Sequence, residues 1–268
     1  INIKNLLSKA FQKKWMNMSN RNLNKTLDIL VPVYNESLGL DIFWQDLYSN
    51  ALKDIQKKYK VKVIFLNNAS TDSSLEIIKK IKALNSELVE YISYYRNVGY
   101  QNSLYGGLIA SDSNLIVIID SDGEDPPSLI KDFLLANEEG YEVVYGDRSS
   151  RVESKSINFM RKLFYKIMEK TADIEIVPNM AEFSLISSNC KDFVIRCTEN
   201  NTFPFLRAEI ARYTSKRKSV KYLRKKRLYG KSNYNFFPFF LYFHTYHRIC
   251  DVSNLVIFFC QCCRRIFR

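Results

Sequence analysis

Hydrophobic and polar positions along the chain alternate between short apolar runs and longer stretches with helical spacing. Short runs rich in β-branched residues predict buried strands. Strands that alternate with helices over short connections predict a parallel, right-handed sheet, and hence an α/β fold. We place five strands at Leu27–Val33, Val61–Leu66, Tyr91–Tyr95, Leu115–Ile119 and Tyr141–Tyr145. We expect helices from Ser37 to about Tyr59, after a cap at Asp72 or Ser73, from about Arg96 to about Ser111, and over residues 128–138.

Polar residues gather after every predicted strand, at the edge where an open α/β sheet carries its ligand site. The densest cluster follows the fourth strand and consists of four acidic residues, Asp120, Asp122, Glu124 and Asp125. Two prolines follow at once and prevent the strand from continuing. Because hard divalent cations prefer oxygen ligands, the cluster favours a Mg²⁺ site at Asp120 and Asp122. An acidic loop that only caps the next helix is the alternative.

The charge of the chain changes this picture in one respect. It carries 40 Lys and Arg against 28 Asp and Glu, a formal net charge of +12. Such a surplus predicts attraction to an anionic partner, either nucleic acid, a membrane surface or a phosphorylated substrate. The surplus lies in residues 1–26 and 216–227, whereas residues 27–150 are close to balanced.

No Gly-x-Gly-x-x-Gly motif follows the first strand, no Walker lysine occurs, and the cysteine spacing indicates no zinc site.

Five motifs, in this order and spacing, resemble those of glycosyltransferase family 2. More narrowly, they are similar to the dolichyl- or undecaprenyl-phosphate sugar transferases. The motifs are Val31-Pro-Val-Tyr-Asn-Glu36, Asn67–Asp72, Arg96-Asn-x-Gly99, Asp120–Pro127 and Gly140–Arg148. Two later segments, Pro178–Leu185 and Tyr222–Tyr234, resemble the family's next motifs. The resemblance covers about residues 27–235.

The resemblance implies a GT-A fold, which is a Rossmann-like, mostly parallel sheet with helices on both faces. It also implies inverting transfer of a sugar from a nucleotide-diphosphate donor, UDP favoured over GDP, to a polyprenyl phosphate, for cell-surface glycan synthesis. The implied nucleotide-binding residues are Pro32, Tyr34, Glu36, Asn67, Asp120 and Ser121. Mg²⁺ or Mn²⁺ would be held by Asp120, Asp122 and Glu124. The acceptor phosphate would be bound by Arg148, Arg161, Arg227 and Lys231. The implied catalytic residues are Asp122, Arg148 and Asp125, the last as a base if one is needed.

Two residues depart from the family pattern. Asn67 stands where the family usually has Asp, which removes a negative charge from the pocket that would bind the base. An amide can still form hydrogen bonds with the edge of a uracil base. Ser184 stands where the family often has Arg. An inactive relative is therefore one alternative, and a family 2 enzyme with a saccharide acceptor is another. A nucleic-acid-binding protein is least favoured, because the basic residues lie at the ends and no nucleic-acid motif occurs.

We expect three segments along the chain. Residues 1–26 have the pattern of a basic amphipathic helix, which either lies on a membrane or packs on its own domain. Residues 27–235 form the GT-A domain. Residues 236–268 form an aromatic, basic, helical tail that suits a membrane interface or, alternatively, packs on a partner subunit of a homo-oligomer. No run of 18 apolar residues occurs, hence no clear transmembrane helix. We expect the protein at the cytoplasmic face of a membrane, peripherally or through a truncated membrane segment.

Overall fold

The structure is a computed structural model that describes residues 25–148, 177, 180–199, 206–225 and 227. The predicted tail and two predicted phosphate ligands, Arg161 and Lys231, lie outside these residues. The predicted N-terminal segment also lies outside them, apart from its last two residues. The division into three segments therefore stays a prediction.

The described residues form one sheet of seven strands. These are β1 (Thr26–Val33), β2 (Lys60–Asn67), β3 (Val89–Ser93), β4 (Leu115–Ile118), β5 (Val143–Asp147), β6 (Met180–Ser187) and β7 (Arg217–Lys221). Their order in the sheet is β3-β2-β1-β4-β6-β5-β7. Only β6 runs against the others within this described sheet, since it pairs antiparallel with both β4 and β5. The expectation of a mostly parallel sheet is confirmed.

Helices connect most of these strands. They are α1 (Leu40–Leu47), which continues through a π-helical turn (Tyr48–Leu52) into α2 (Lys53–Ile55), then α3 (Ser74–Leu84), α4 (Tyr100–Ala110), α5 (Ile130–Glu138), α6 (Ser188–Thr198) and α7 (Leu206–Tyr213). A 3₁₀ turn (Pro127–Leu129) precedes α5. The helix expected from Arg96 begins only at Tyr100, because Gly99 has a φ of 84° and ends the loop before it.

The core lies on both faces of the sheet, as the period of two along a strand requires. Ile29 and Val31 of β1 pack on one face with apolar residues of α1, α3 and α5, whereas Leu30 packs on the other face with those of α4, α6 and α7. Helix α4 approaches the sheet closely at Gly107, where a Cβ would lie 2.7 Å from Cδ1 of Leu66. The expected helices on both faces are confirmed.

Two strands were missed by the apolar pattern. β6 is buried at every position although it contains Glu182 and Ser184, because it lies between two other strands. β7 is a basic edge strand within the run that we interpreted only as positive charge. These two strands carry the chain back towards the acidic cluster.

Candidate active site

The candidate site lies where the chain changes direction across the sheet. From β1 the chain proceeds to β2 and β3 on one side, and it returns to β4 on the other. The carboxyl ends of β1 and β4 are adjacent, since Leu30 pairs with Ile118. Open α/β sheets bind their ligands at such a switch point. The segments that follow β1, β2, β4 and β7 all contribute side chains here.

The acidic loop (Asp120–Asp125) is fixed at its start by two neighbouring elements. The Tyr100 hydroxyl of α4 donates to Asp120 Oδ1 at 2.6 Å. The Ser121 hydroxyl donates to the carbonyl oxygen of Pro32 at 2.9 Å, which attaches the loop to the end of β1. Asp120 and Ser121 are both buried. The two residues are thereby positioned before any ligand arrives.

Asp122 lies further into the loop, and its carboxylate is 7% exposed. Its Oδ1 accepts a hydrogen bond from the backbone N–H of Glu124 at 3.1 Å, across a turn in which Gly123 has a φ of 73°. Burial raises the pKa of Asp122 to about 7, and the nearby charges of Asp120 and Glu124 add to this, whereas Arg224 opposes it. A buried group of carboxylates needs positive charge to ionise fully.

Arg224 supplies part of that charge. Its side chain is 6% exposed, its Nη2 lies 3.6 Å from Asp122 Oδ2, and the same nitrogen contacts Glu124 Oε2. Its Nε lies 3.7 Å from Asp125 Oδ1. Sequence reasoning assigned Arg224 no role, because it lies in a run of basic residues in which no single position stands out. The signal available was its place between Tyr222 and Arg227 in a family motif.

Asp125 is fully buried and holds the acidic loop against β5 and β7. Arg148 Nη2 lies 3.1 Å from Asp125 Oδ2, the Tyr222 hydroxyl donates to Asp125 Oδ1, and Arg148 Nε donates to the Tyr222 oxygen at 2.9 Å. Burial lowers the pKa of Arg148, but Asp125 and Tyr222 outweigh it and the net shift is upward. Burial also raises the pKa of Tyr222, and the Asp125 charge adds to this. The structure thus brings together Asp125 and Arg148, to which sequence analysis gave separate roles, and adds Tyr222.

The loop after β1 is joined to the loop after β2. Asn35, with a φ of 54°, donates its backbone N–H to the Ser70 hydroxyl at 3.1 Å, and the backbone N–H of Glu36 donates to the Ser74 hydroxyl at 2.9 Å. The Glu36 carboxylate accepts from Arg227. Burial raises the pKa of Glu36, and Arg227 only partly offsets this. Arg227, predicted to bind the acceptor phosphate, lies on the predicted nucleotide side in this structure.

Asn67 belongs to the support of these loops. Its side chain is 1% exposed, its Nδ2 donates to the Ser93 hydroxyl at 2.9 Å, and its Oδ1 accepts from the backbone N–H of Ser70 at 3.2 Å. Pro32 and Tyr34, by contrast, are partly exposed at the same edge. Ser184 is buried within β6 and donates to the Glu182 carbonyl oxygen at 2.9 Å, away from solvent. The nucleotide-binding roles of Pro32, Tyr34 and Asn67 stay predictions.

The residues present fit a divalent cation that shares its ligands with a second molecule. Among the described residues, no three His, Cys, Asp or Glu side chains are grouped so that they could hold a metal ion alone. The side chains of the acidic loop nevertheless offer only oxygen atoms as ligands, and the raised pKa of Asp122 indicates that the carboxylates of the loop lack sufficient positive charge. Mg²⁺ is usually bound by one or two carboxylates, with phosphates and water completing its shell. Asp120 and Asp122 suit that arrangement.

In the part of the chain that the structure describes, none of the helices combines the length and the apolar character that crossing a bilayer requires.

Comparison with known proteins identifies the family of the chain. The family model described as "Glycosyl transferase family 2" matches residues 28–242. The chain is 34% identical over 212 residues to the uncharacterized glycosyltransferase YkcC of Bacillus subtilis (strain 168), which is 77% of this chain and 62% of YkcC. It thus spans less than two thirds of that relative. It is 27% identical over 210 residues to the prophage bactoprenol glucosyl transferase homolog of Escherichia coli (strain K12), covering 78% of this chain and 67% of that one.

A solved structure shows the same fold. The mannosyltransferase PcManGT from Pyrobaculum calidifontis, in complex with GDP-Man and Mn²⁺, superposes with a TM-score of 0.52 at 14% identity, covering 84% of this chain and 66% of that one. At this identity the likeness concerns the fold alone. The family and fold that the motifs implied are confirmed.

Proposed function

We propose that this chain, which belongs to glycosyl transferase family 2, transfers a sugar from a nucleotide-diphosphate donor to a polyprenyl phosphate with inversion. It would do so at the cytoplasmic face of a membrane, with Mg²⁺ or Mn²⁺, in the synthesis of a cell-surface glycan. The observation that carries the proposal is the pair of buried carboxylates Asp120 and Asp122 at the switch point of the sheet, with Arg224 beside Asp122. A metal-bound diphosphate requires both kinds of group.

The donor would lie across the ends of β1 and β4. Pro32 and Tyr34 are partly exposed there and would face the base and ribose, with Asn67 supporting the loop behind them. Asp120 and Asp122 would hold the metal ion, whose bound charge would stabilise the diphosphate as it leaves. Tyr100 and Ser121 keep Asp120 and its loop in place, so little reorganisation is needed when the donor binds.

The acceptor argument rests on chemistry and on one relative. The phosphate of a polyprenyl phosphate is already ionised near neutral pH, so its oxygen needs positioning more than it needs a base. This agrees with Asp125, whose carboxylate is fully buried and bound by Arg148 and Tyr222. Arg148 is 20% exposed and would present its outer face to the acceptor phosphate. The bactoprenol glucosyl transferase homolog supports a lipid phosphate as the acceptor.

Calorimetry on the full chain tests the donor site first. We expect UDP or GDP to bind in the presence of Mn²⁺, with UDP favoured, and we expect Asp120→Asn to abolish the metal-dependent part of that binding. Asp112→Asn is the matched control, because Asp112 is an exposed carboxylate just before β4, at the opposite edge of the sheet. Failure of both nucleotides to bind the wild-type chain, or an Asp120→Asn variant that binds as well as the Asp112→Asn variant, would contradict the proposal.

The acceptor is tested by the product. A radiolabelled sugar donor is incubated with undecaprenyl phosphate in detergent, and the label is followed into the organic phase. We expect lipid-extractable label from the wild type and none from Asp122→Asn. If the label appears only in a water-soluble saccharide, the acceptor is a saccharide and the proposed lipid acceptor is wrong.

A further inference from the structure

Arg224 has more hydrogen-bonding capacity than its surroundings satisfy. Its side chain is 94% buried, with an exposed fraction of 6%. Two of its nitrogens, Nε and Nη2, make no hydrogen bond of good geometry in the described part of the chain, although both are buried. Nη2 instead forms an ion pair with Glu124 Oε2, and Nε lies 3.7 Å from Asp125 Oδ1. The guanidinium contacts Glu124 and approaches Asp122 and Asp125 by charge, but the geometry is not that of bidentate hydrogen bonding. The charge of the buried guanidinium is thus compensated, but its Nε and Nη2 donors lack well-formed hydrogen bonds.

The backbone around Arg224 is held at both sides. The N–H of Tyr222 donates to the Asp147 carbonyl oxygen at 3.2 Å, and the N–H of Lys225 donates to the Glu124 carbonyl oxygen at 2.9 Å. These bonds fix the segment that follows β7 against β5 and the acidic loop. A change in the position of the guanidinium therefore needs only rotation of the side chain.

Arg224 and a divalent cation compete for the same carboxylates. A metal ion held by Asp120 and Asp122 would lie about 2.0–2.6 Å from a carboxylate oxygen of Asp122. Arg224 Nη2 already lies 3.6 Å from Asp122 Oδ2. Two cations at such short separation repel strongly in a buried site. The arginine must therefore leave this position when a metal ion enters.

A diphosphate offers Arg224 better partners than the ones it loses. Guanidinium groups bind phosphate oxygens bidentately, with Nε and Nη donors in parallel, and these are the two types of nitrogen that make no well-formed hydrogen bond here. The entering metal ion would add positive charge to the same acidic loop. Exchange of partners would thus give Nε and Nη2 hydrogen bonds of better geometry while the carboxylates keep a compensating charge.

We propose that Arg224 is a displaceable counter-cation of the acidic loop. In the donor-free protein it holds the charge of Asp122 and Glu124 and keeps divalent metal ions off. When metal and diphosphate enter together, it moves to the diphosphate and positions it. This inference rests on the proposed function and adds to it a positioning residue and an order of events, in which metal alone binds weakly and metal with nucleotide binds tightly.

The test measures Mn²⁺ binding without nucleotide, by calorimetry and by electron paramagnetic resonance of unbound Mn²⁺, on the full chain. Arg224→Met removes the charge and keeps a long side chain. Lys225→Met is the matched control, because it removes one positive charge from the next residue, which is 50% exposed and paired with Asp46. We expect Arg224→Met to bind Mn²⁺ alone about tenfold or more tightly than the wild type, as loss of a close like charge predicts. Lys225→Met should match the wild type.

The same variants separate this inference from the proposed function. In Arg224→Met, Mn²⁺ should also raise nucleotide affinity by a smaller factor than in the wild type, since the two couplings are reciprocal. The wild type could bind Mn²⁺ and nucleotide together while Arg224→Met binds Mn²⁺ no more tightly than Lys225→Met. That result would contradict the proposed role of Arg224 and would still agree with the proposed function. Absence of nucleotide binding by the wild type would overturn the function instead. If circular dichroism shows that Arg224→Met is unfolded, Arg224→Gln, whose amide can still bond Glu124, takes its place under the same criterion.

Discussion

The Tyr222 hydroxyl can be removed with almost no change of shape by substituting Phe. That hydroxyl donates to the fully buried Asp125 carboxylate and accepts from Arg148 Nε at 2.9 Å. A hydrogen bond to a charged buried group contributes about 1.5–3 kcal/mol. Because Asp125 retains Arg148 Nη2 at 3.1 Å, we expect the loss in free energy of unfolding to be about 2 kcal/mol, in the lower part of that range. For a chain of this size, that corresponds to a decrease in Tm of about 4–8 °C.

Thermal and urea unfolding, both followed by circular dichroism, measure this loss. Tyr95→Phe is the matched control, because the Tyr95 side chain is fully exposed and its hydroxyl should contribute less than about 0.5 kcal/mol. Sugar transfer by Tyr222→Phe should also decrease, since Arg148 loses one of the groups that orient it. A Tyr222→Phe variant as stable as Tyr95→Phe would refute the view that this buried contact holds the acidic loop in place.

Three further predictions concern pH, packing and phosphate geometry. Burial and neighbouring carboxylates raise the pKa of Asp122 to about 7 in the folded protein. Between about pH 4 and pH 7 the folded state therefore binds a proton that the unfolded state has released, so the metal-free protein should lose stability as pH rises through this range. Melts from about pH 5 to pH 8 should show this slope, and Asp122→Asn should flatten it. Gly107→Ala should destabilise by about 1–3 kcal/mol in urea unfolding through overpacking against Leu66, whereas helix propensity alone predicts a gain. Arg148→Lys should lose most transfer activity, because a lysine cannot bind both Asp125 and Tyr222 as the guanidinium does. A kinetic assay in which Arg148→Lys is as active as the wild type would contradict this prediction.

The sequence was sufficient for those parts of the fold that local pattern determines. Strands β1 to β5 are apolar runs of sufficient length, and the acidic loop follows β4 where the prolines required a loop. The position of β6 between β4 and β5 could not be predicted, because its strand neighbours are selected by pairing over long distances along the chain. β7 was missed because three of its five residues are basic, which resembles a solvated charge run.

The contacts of the site were harder to predict than its members. Tyr222 and Asp125 are separated by 97 positions, and Arg227 and Glu36 by 191. Only the folded chain brings β7 back to the acidic loop and so pairs each acid with a particular base. Family motifs identified Arg227 as a phosphate-binding candidate, but they did not indicate that a carboxylate already occupies its guanidinium. In the same way, the motifs suggested a base-binding role for Asn67, which stays a prediction, but they did not indicate that its amide also supports the loop.

Charge balance links the binding of metal and phosphate at this site. Within the described residues, five carboxylates meet three arginines here, and each arginine contacts at least one carboxylate: Arg148 with Asp125, Arg224 with Glu124, and Arg227 with Glu36. A phosphate can engage these arginines only by weakening their contacts with buried anions, which leaves the anions uncompensated. A divalent cation removes this conflict, because it supplies two positive charges to the same group of carboxylates. Phosphate affinity at the arginines should therefore rise when metal binds, and metal affinity should rise by the same factor when phosphate binds.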